Sequence, residues 1–439
     1  MSEFDPILLT LPSLTPALAL EILPHGLTLH RLFVQADGRT HDVVIGPESP
    51  KDHAFQKYIN TVVGRYANRV PVGTHKVERH GITSQVTAIA NENSRVSLHG
   101  GPTGFDAVPW TLLTQDDPPT LFTAAELAHI SLAAPPSAHA VFRLVSPAGD
   151  QGYPGTLVLE TLVALVEPGE QARVYRKPGD RAANEEYDLG SVVFVYRAKL
   201  AEGQGKLVTP VNLTQPTQRR QHWGFNLEAS QRGREPVSVK GHTLTVKSDR
   251  LVKRDADSLA TGFIPSAGTP HEHAGKLIGE QYPEQGYDDY YAFAPFEKIP
   301  TRIPRASFAD VDLLADVLRP SNGPAAARGK RADPVVELAS AASGLKLVFD
   351  SNQGGVMFYS FAGTDPSKGA RKQIHGGSGR RDQGDSYAAG TAAFLEFHDP
   401  LAAFLDPANK DKEDTLLTSD EIYHNYVRCD VRFKEPTAE

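Results

Sequence analysis

The chain has 439 residues, with 45 basic against 53 acidic side chains and a net charge of −8 when histidine is neutral. No block of one sign interrupts that balance, which excludes the basic footprint of a nucleic-acid or polyanion binder. The length is ample for a sizeable core, a single cysteine excludes an intramolecular disulfide framework, and no apolar run approaches the ~20 residues that span a bilayer.

The first segment, MSEFDPILLTLPSLTPALALEIL, is rich in leucine, but Glu3 and Asp5 stand where a secretory signal carries basic residues, and Pro12 and Pro16 interrupt the apolar run. It is read as mature protein, a segment that either completes a sheet or packs on another subunit, and a cytoplasmic location is expected. A short helix is expected over Thr123 to His129. TLVLETLVALV (Thr156 to Val166) predicts a strand introduced by the turn residues Gly152, Pro154 and Gly155, and GSVVFVYRAKL (Gly190 to Leu200) predicts a largely buried one. A second short helix is expected over Phe308 to Val317. In HNYVRCDVRF the period of two sets Val427, Cys429, Val431 and Phe433 on one face, with Tyr426, Arg428, Asp430 and Arg432 on the other, so Cys429 points inward as a small hydrophobe.

Helical periodicity is otherwise scarce, there is no internal repeat, and 37 glycines and 33 prolines punctuate many short strand signals. That pattern predicts an all-β sandwich or barrel. Glu167 to Leu189, Arg319 to Asp333 and Thr364 to Ser386 are polar, lack an apolar period and are read as mobile surface loops inserted into the framework.

Five stretches mix glycine, aromatic and ionisable residues. NTVVGRYANRV holds Arg65 and Arg69, SLHGGPTGFDAVPW holds His99, QRRQHWGFNL holds His222, EQGYDDYYAF holds Asp288 and Asp289, and AAFLEFHDPLAAF holds Glu396. Taken singly, each has an ordinary structural explanation: the arginines pair with carboxylates, His99 caps a turn before two glycines, and Asp288 holds a turn through its side chain. Glu396 resists that explanation, because it lies in an apolar run and a buried carboxylate is expensive unless it is paired or used.

Together these motifs, with QGYPGTL and TPVNLT, occur in the order of the aldose 1-epimerase (galactose mutarotase) family, and the chain resembles that family from about Asp42 to Phe433. The resemblance implies a single domain over residues 1–439, a large antiparallel β-sandwich with an open sugar-binding cleft, and neither metal nor organic cofactor. Carried over motif by motif, it implies Glu396 as the general base and His222 as the general acid. Arg69, His99 and Asp288 would then hold sugar hydroxyls and the ring oxygen.

The activity implied is aldose 1-epimerisation of a free hexose, of the glucose or galactose class. Removing the C1 hydroxyl proton while protonating the ring oxygen opens the hemiacetal, and closure on the other face gives the other anomer; a carboxylate and an imidazolium suit those two transfers. Apolar enclosure should strengthen Glu396 as a base. Trp110, Trp223 and Phe225 are candidates for contact with a sugar face, although Trp110 is better read as core.

The sequence departs from the family at several points, among them Trp223 and Gly224 in place of the Ser-Tyr that follows the acid histidine in most members. QPTQRRQ separates Asn212-Leu213-Thr214 from His222, Asp289 stands where many relatives have histidine, and Met357 stands where a sugar-contacting glutamine is common. Arg219 and Arg220 keep open a hexose-6-phosphate 1-epimerase, which would need a guanidinium pair for its phosphate. A non-catalytic sugar-binding protein on the same fold is the other alternative. The expected partner is a small-molecule sugar, with no nucleic acid and no membrane.

Overall fold

The computed structural model describes residues 2–169, 186–214, 223–231, 238–295, 298–320, 334–362, 365, 367 and 369–436. Antiparallel sheets dominate. A ten-stranded sheet runs in the order Ala274–Leu277, Thr243–Val246, Val336–Ala339, Leu345–Ser351, Glu421–Lys434, Glu186–Leu200, Leu157–Val166, His139–Ser146, Thr111–Leu112, with Arg302–Pro304 paired beside Glu421–Lys434. A six-stranded sheet runs Gly224–Phe225, Ala393–His398, Gly355–Tyr359, Asp288–Phe293, Ser248–Arg254, Ala260–Pro265. The all-β sandwich expected from the strand signals is what forms.

The two large sheets face each other across one apolar core. Phe194, Leu347, Phe349, Val427, Cys429 and Val431 come from the ten-stranded sheet, and Leu251, Val356, Phe358, Leu395 and Phe397 from the six-stranded one. Phe349 is the bridge, with ring centroids 5.3 Å from Phe397 and 5.5 Å from Phe225. Trp110, Trp223 and Phe225 are all buried in this core, and Trp223 packs edge-on against Phe194 at 4.8 Å. The expectation of Trp223 and Phe225 as sugar contacts is therefore corrected: their rings are taken up by packing.

The N-terminal segment is part of the same packing unit. Ile7–Thr10 and Leu18–Leu23 join Thr28–Ala36 and Arg39–Asp42 in a four-stranded sheet, and Leu18, Leu20 and Ile22 enter the common core. No helix among the described residues is long and apolar enough to cross a membrane.

The three long strand expectations hold, with one correction. The segment expected to run as a loop to Leu189 becomes strand from Glu186, extending Glu186–Leu200 against the end of Glu421–Lys434. In Glu421–Lys434 both faces are covered: Arg428 and Asp430 lie on the face opposite Cys429 yet are buried. Their charges are satisfied there, because Arg428 donates to Asp430 Oδ1 (2.8 Å), Ser191 Oγ (2.9 Å) and the Val317 carbonyl (2.8 Å).

The first expected helix is Ala124–Ala133, started by a capping box in which Thr123 Oγ1 accepts from Glu126 N and Glu126 Oε2 accepts from Thr123 N. The second does not form over Phe308 to Val317. Helix is confined to Arg305–Phe308, and beyond it Asp312 Oδ1 accepts from the backbone of Leu314 and Ala315, a local turn that competes with helix. Residues 170–185 and 321–333, the bulk of two expected insertions, lie outside the described residues.

Candidate active site

In an antiparallel pair, residues directly opposite each other point to the same face. Tyr290 is opposite Met357 and Met357 opposite Glu396, while Asp288 is opposite Tyr359 and Tyr359 opposite Phe394. Glu396, His398, Met357, Tyr290 and Asp288 thus share the face of the six-stranded sheet turned away from the main core, whereas Leu395, Phe397, Val356 and Phe358 point into it. A one-residue slip would exchange these sets, so the apolar core holds Glu396 in place.

Two of the sequence motifs cover that face. Arg69–Pro71 pairs with Val96–Leu98, with Arg69 opposite Leu98, so GRYANR and LHGG lie side by side. Gly100 has φ +87°, and a Cβ there would sit 2.1 Å from the Gly64 carbonyl oxygen; only glycine permits this approach of the two segments. Arg65 is structural: its guanidinium donates to Ser146 Oγ (3.0 Å) and to the carbonyls of Ser146 (2.9 Å), Pro147 (2.8 Å) and Pro154 (3.0 Å), pinning the YPG turn. Asn68 reaches the sheet itself, with Nδ2 3.7 Å from Met357 Sδ.

His99 is fully buried and packs against Tyr58, ring centroids 5.1 Å apart and planes tilted by 50°. Its Nδ1 accepts from Asn68 N at 3.1 Å, so a neutral ring carries its proton on Nε2. Burial first, then the neighbouring Arg69 and His398, hold its pKa well below the usual histidine range. Arg69 is 2% exposed, and Glu92 takes its Nε (2.8 Å) and Nη2 (3.1 Å). Among the described residues its Nη1 has no hydrogen-bond partner.

Asp288 lies toward the edge of the site, partly exposed. Arg254 donates to its carbonyl, reaches its Oδ2 at 3.5 Å and reaches Asp289 Oδ1 at 3.3 Å. Burial pushes the Asp288 carboxyl up, opposed by Arg254 and Arg69. Asp289 is also 3.5 Å from His271 Nδ1. Glu396 is fully buried, and its Oε2 is 3.7 Å from His398 Nε2. Instead of lying in an open cleft, Arg69, His99 and Glu396 are each 2% exposed or less.

Of the five expected site residues, Arg69, His99, Glu396 and Asp288 converge on this one face. His222, with Arg219 and Arg220, lies outside the described residues. Among the described residues no group of three or more histidine, cysteine or carboxylate side chains is disposed to hold a metal ion.

The aldose 1-epimerase family model matches residues 13–177. Galactose mutarotase from Sus scrofa is 31% identical over 256 residues, 57% of this chain and 56% of the relative. The Bos taurus galactose mutarotase is 30% identical over 251 residues, 57% of this chain and 55% of that protein. The matched stretch spans about half the length of these curated relatives. Over these stretches the chain is similar to the aldose 1-epimerase family.

Solved structures extend the likeness in fold to nearly the whole chain. An aldose epimerase homologue from C. elegans superposes with a TM-score of 0.65 at 17% identity, covering 98% of this chain and 99% of its own. A galactose 1-epimerase from Lactobacillus acidophilus NCFM gives 0.60 at 15% identity, covering 98% and 99%.

Two residues at this site escaped sequence reasoning. Glu92 sits in ANENSRV, a run that reads as a polar turn, and nothing local marks it as the partner of Arg69. His398 did carry a signal, because it stands two residues after Glu396 in a strand and so shares its face.

Proposed function

We propose that the protein is an aldose 1-epimerase that interconverts the α and β anomers of a free hexose. The observation that carries this reading is the placement of Glu396: a fully buried carboxylate on the polar face of the sheet, beneath the segments bearing Arg69 and His99. A carboxylate so placed takes the proton of the C1 hydroxyl. His99, neutral with its proton on Nε2, donates to a sugar oxygen, Arg69 Nη1 is left for a hydroxyl, and Asp288 accepts from hydroxyls at the edge of the site.

The acid is assigned to His222. Gly224, two residues after it in sequence, pairs with Phe394, two residues before Glu396, so the chain joins the sheet directly beside the base. Proton removal at C1 and protonation of the ring oxygen break the bond from C1 to that oxygen. Rotation about the bond from C1 to C2 and the reverse transfers close the ring on the other face, with no net change in protons.

The test is polarimetry on freshly dissolved α-D-glucose and α-D-galactose. Wild type is expected to speed the approach to anomeric equilibrium, and Glu396→Gln, which keeps the side chain's size, to lose about 10²- to 10⁴-fold in kcat. An unchanged rate in that variant removes Glu396 as base. A wild type that adds nothing over buffer with either sugar or with glucose 6-phosphate leaves a sugar-binding protein without catalysis.

A further inference from the structure

His398, at the end of the Ala393–His398 strand, has no part in the chemistry above, yet its ring is fully buried beside the proposed base. Its Nδ1 is 2.7 Å from the carbonyl oxygen of Asp399, which only accepts, so Nδ1 carries the ring proton. Burial pulls the ring's pKa down to about 4, so it is neutral at physiological pH. Nε2 is left with a bare lone pair. That atom is buried with no hydrogen-bond partner among the described residues, and it faces Glu396 Oε2 at 3.7 Å.

A lone pair turned toward a buried carboxylate is unfavourable while the carboxylate is ionised and becomes favourable once a proton sits between them. We propose that His398 is a positioning residue for Glu396: its Nε2 accepts a hydrogen bond from the Glu396 carboxyl once that group has taken the C1 proton, which fixes the carboxyl's orientation and strengthens it as a base. The inference rests on the reading of Glu396 as base. The 3.7 Å separation lies within the tightening that substrate binding brings to catalytic contacts.

The proton balance closes without a further reactant. The O–H bond at C1 breaks and one forms at Glu396; the electron pair left on the C1 oxygen makes the carbonyl as the bond to the ring oxygen breaks; the acid protonates that ring oxygen. His398 keeps its Nδ1 proton throughout.

The groups that face the ring leave it neutral. Glu396 lies on its own strand, with Asp399 next in sequence accepting from Gly354 N at 3.0 Å. Tyr290 packs against the ring, centroids 5.0 Å apart and planes tilted by 41°, and donates to the His398 carbonyl. His99 approaches from the covering segment, with Arg69 behind it held on Glu92.

The experiment compares pH profiles of kcat/KM for wild type, His398→Leu and His398→Gln. Leucine removes the acceptor, so the protonated base is destabilised: kcat is expected to fall about tenfold and the acid limb to move down by about one pH unit. Glutamine can accept from Glu396 and donate to the Asp399 carbonyl, so H398Q is expected to stay within about threefold of wild type with its limb in place. A limb unmoved in H398L, whatever its rate, or H398Q as impaired as H398L, overturns the proposal.

If wild type catalyses no anomerisation, the reading of Glu396 as base fails by itself, and the pair is judged by ¹⁵N NMR of the His398 ring in the intact protein. The Nδ1-protonated tautomer is expected, with the Nε2 resonance moving in Glu396→Gln, whose amide donates where the protonated carboxyl would. An Nε2-protonated ring, or an Nε2 resonance indifferent to that substitution, refutes the pairing.

Discussion

Asp106 is 3% exposed, and no other described residue donates to either of its carboxylate oxygens. Burial pushes its carboxyl from 3.8 up to about 6. The native state thus binds this proton more tightly than the unfolded chain, and the stability that results is present below pH 3.8 and lost as the pH rises through 6. Asp106→Asn is expected to stabilise the protein at pH 7 by up to about 3 kcal/mol and to have little effect at pH 4, as measured by urea unfolding at both. An equal effect at the two pH values would mean that the carboxyl is not strained. Residues of this kind show where sequence reading works: Glu396 was found because charge inside an apolar run is costly. Asp106 carries no such mark, because it stands among the glycines and prolines of HGGPTGFDAVPW.

At the scale of elements, the Thr364 to Ser386 stretch departs most from expectation. Its composition reads as a polar surface excursion, yet Lys372 within it is fully buried and donates to the His30 carbonyl (2.7 Å), Asp42 Oδ2 (2.7 Å) and the Val44 carbonyl (2.8 Å). All three ammonium protons are satisfied, and His375 Nε2 bonds the Asp42 carbonyl at 2.8 Å. This segment straps the N-terminal sheet beside the six-stranded one. Lys372→Met leaves the buried Asp42 carboxylate with only the Arg31 guanidinium, 3.7 Å away, as a counter-charge and should cost about 3–5 kcal/mol, whereas the double change with Asp42→Asn should recover much of that. A loss below about 1 kcal/mol in the single variant would show that the pair contributes nothing. No periodicity in the sequence announces such a strap, because a single lysine and its partner some 330 residues away in the chain carry the contact.

Across the whole molecule, the sandwich places Leu395 and Phe397 on the core side of the Ala393–His398 strand and Glu396 and His398 on the other. Phe349→Ala removes the ring that bridges the two large sheets and should cost about 3–5 kcal/mol in chemical denaturation. A smaller loss would mean that the core collapses to fill the gap. The sequence by itself determined the all-β class, the long strands, the helix at Thr123, the order of the family motifs and the singular position of Glu396, because alternation, turn residues and the cost of a buried charge are local properties of the chain. Only the tertiary structure decided that Arg65 is a structural pin while Arg69 lies at the site on Glu92, that Trp223 and Phe225 are core, and that His398 stands against Glu396. Those outcomes depend on strand register and on contacts between distant segments, and neither is written in any local pattern.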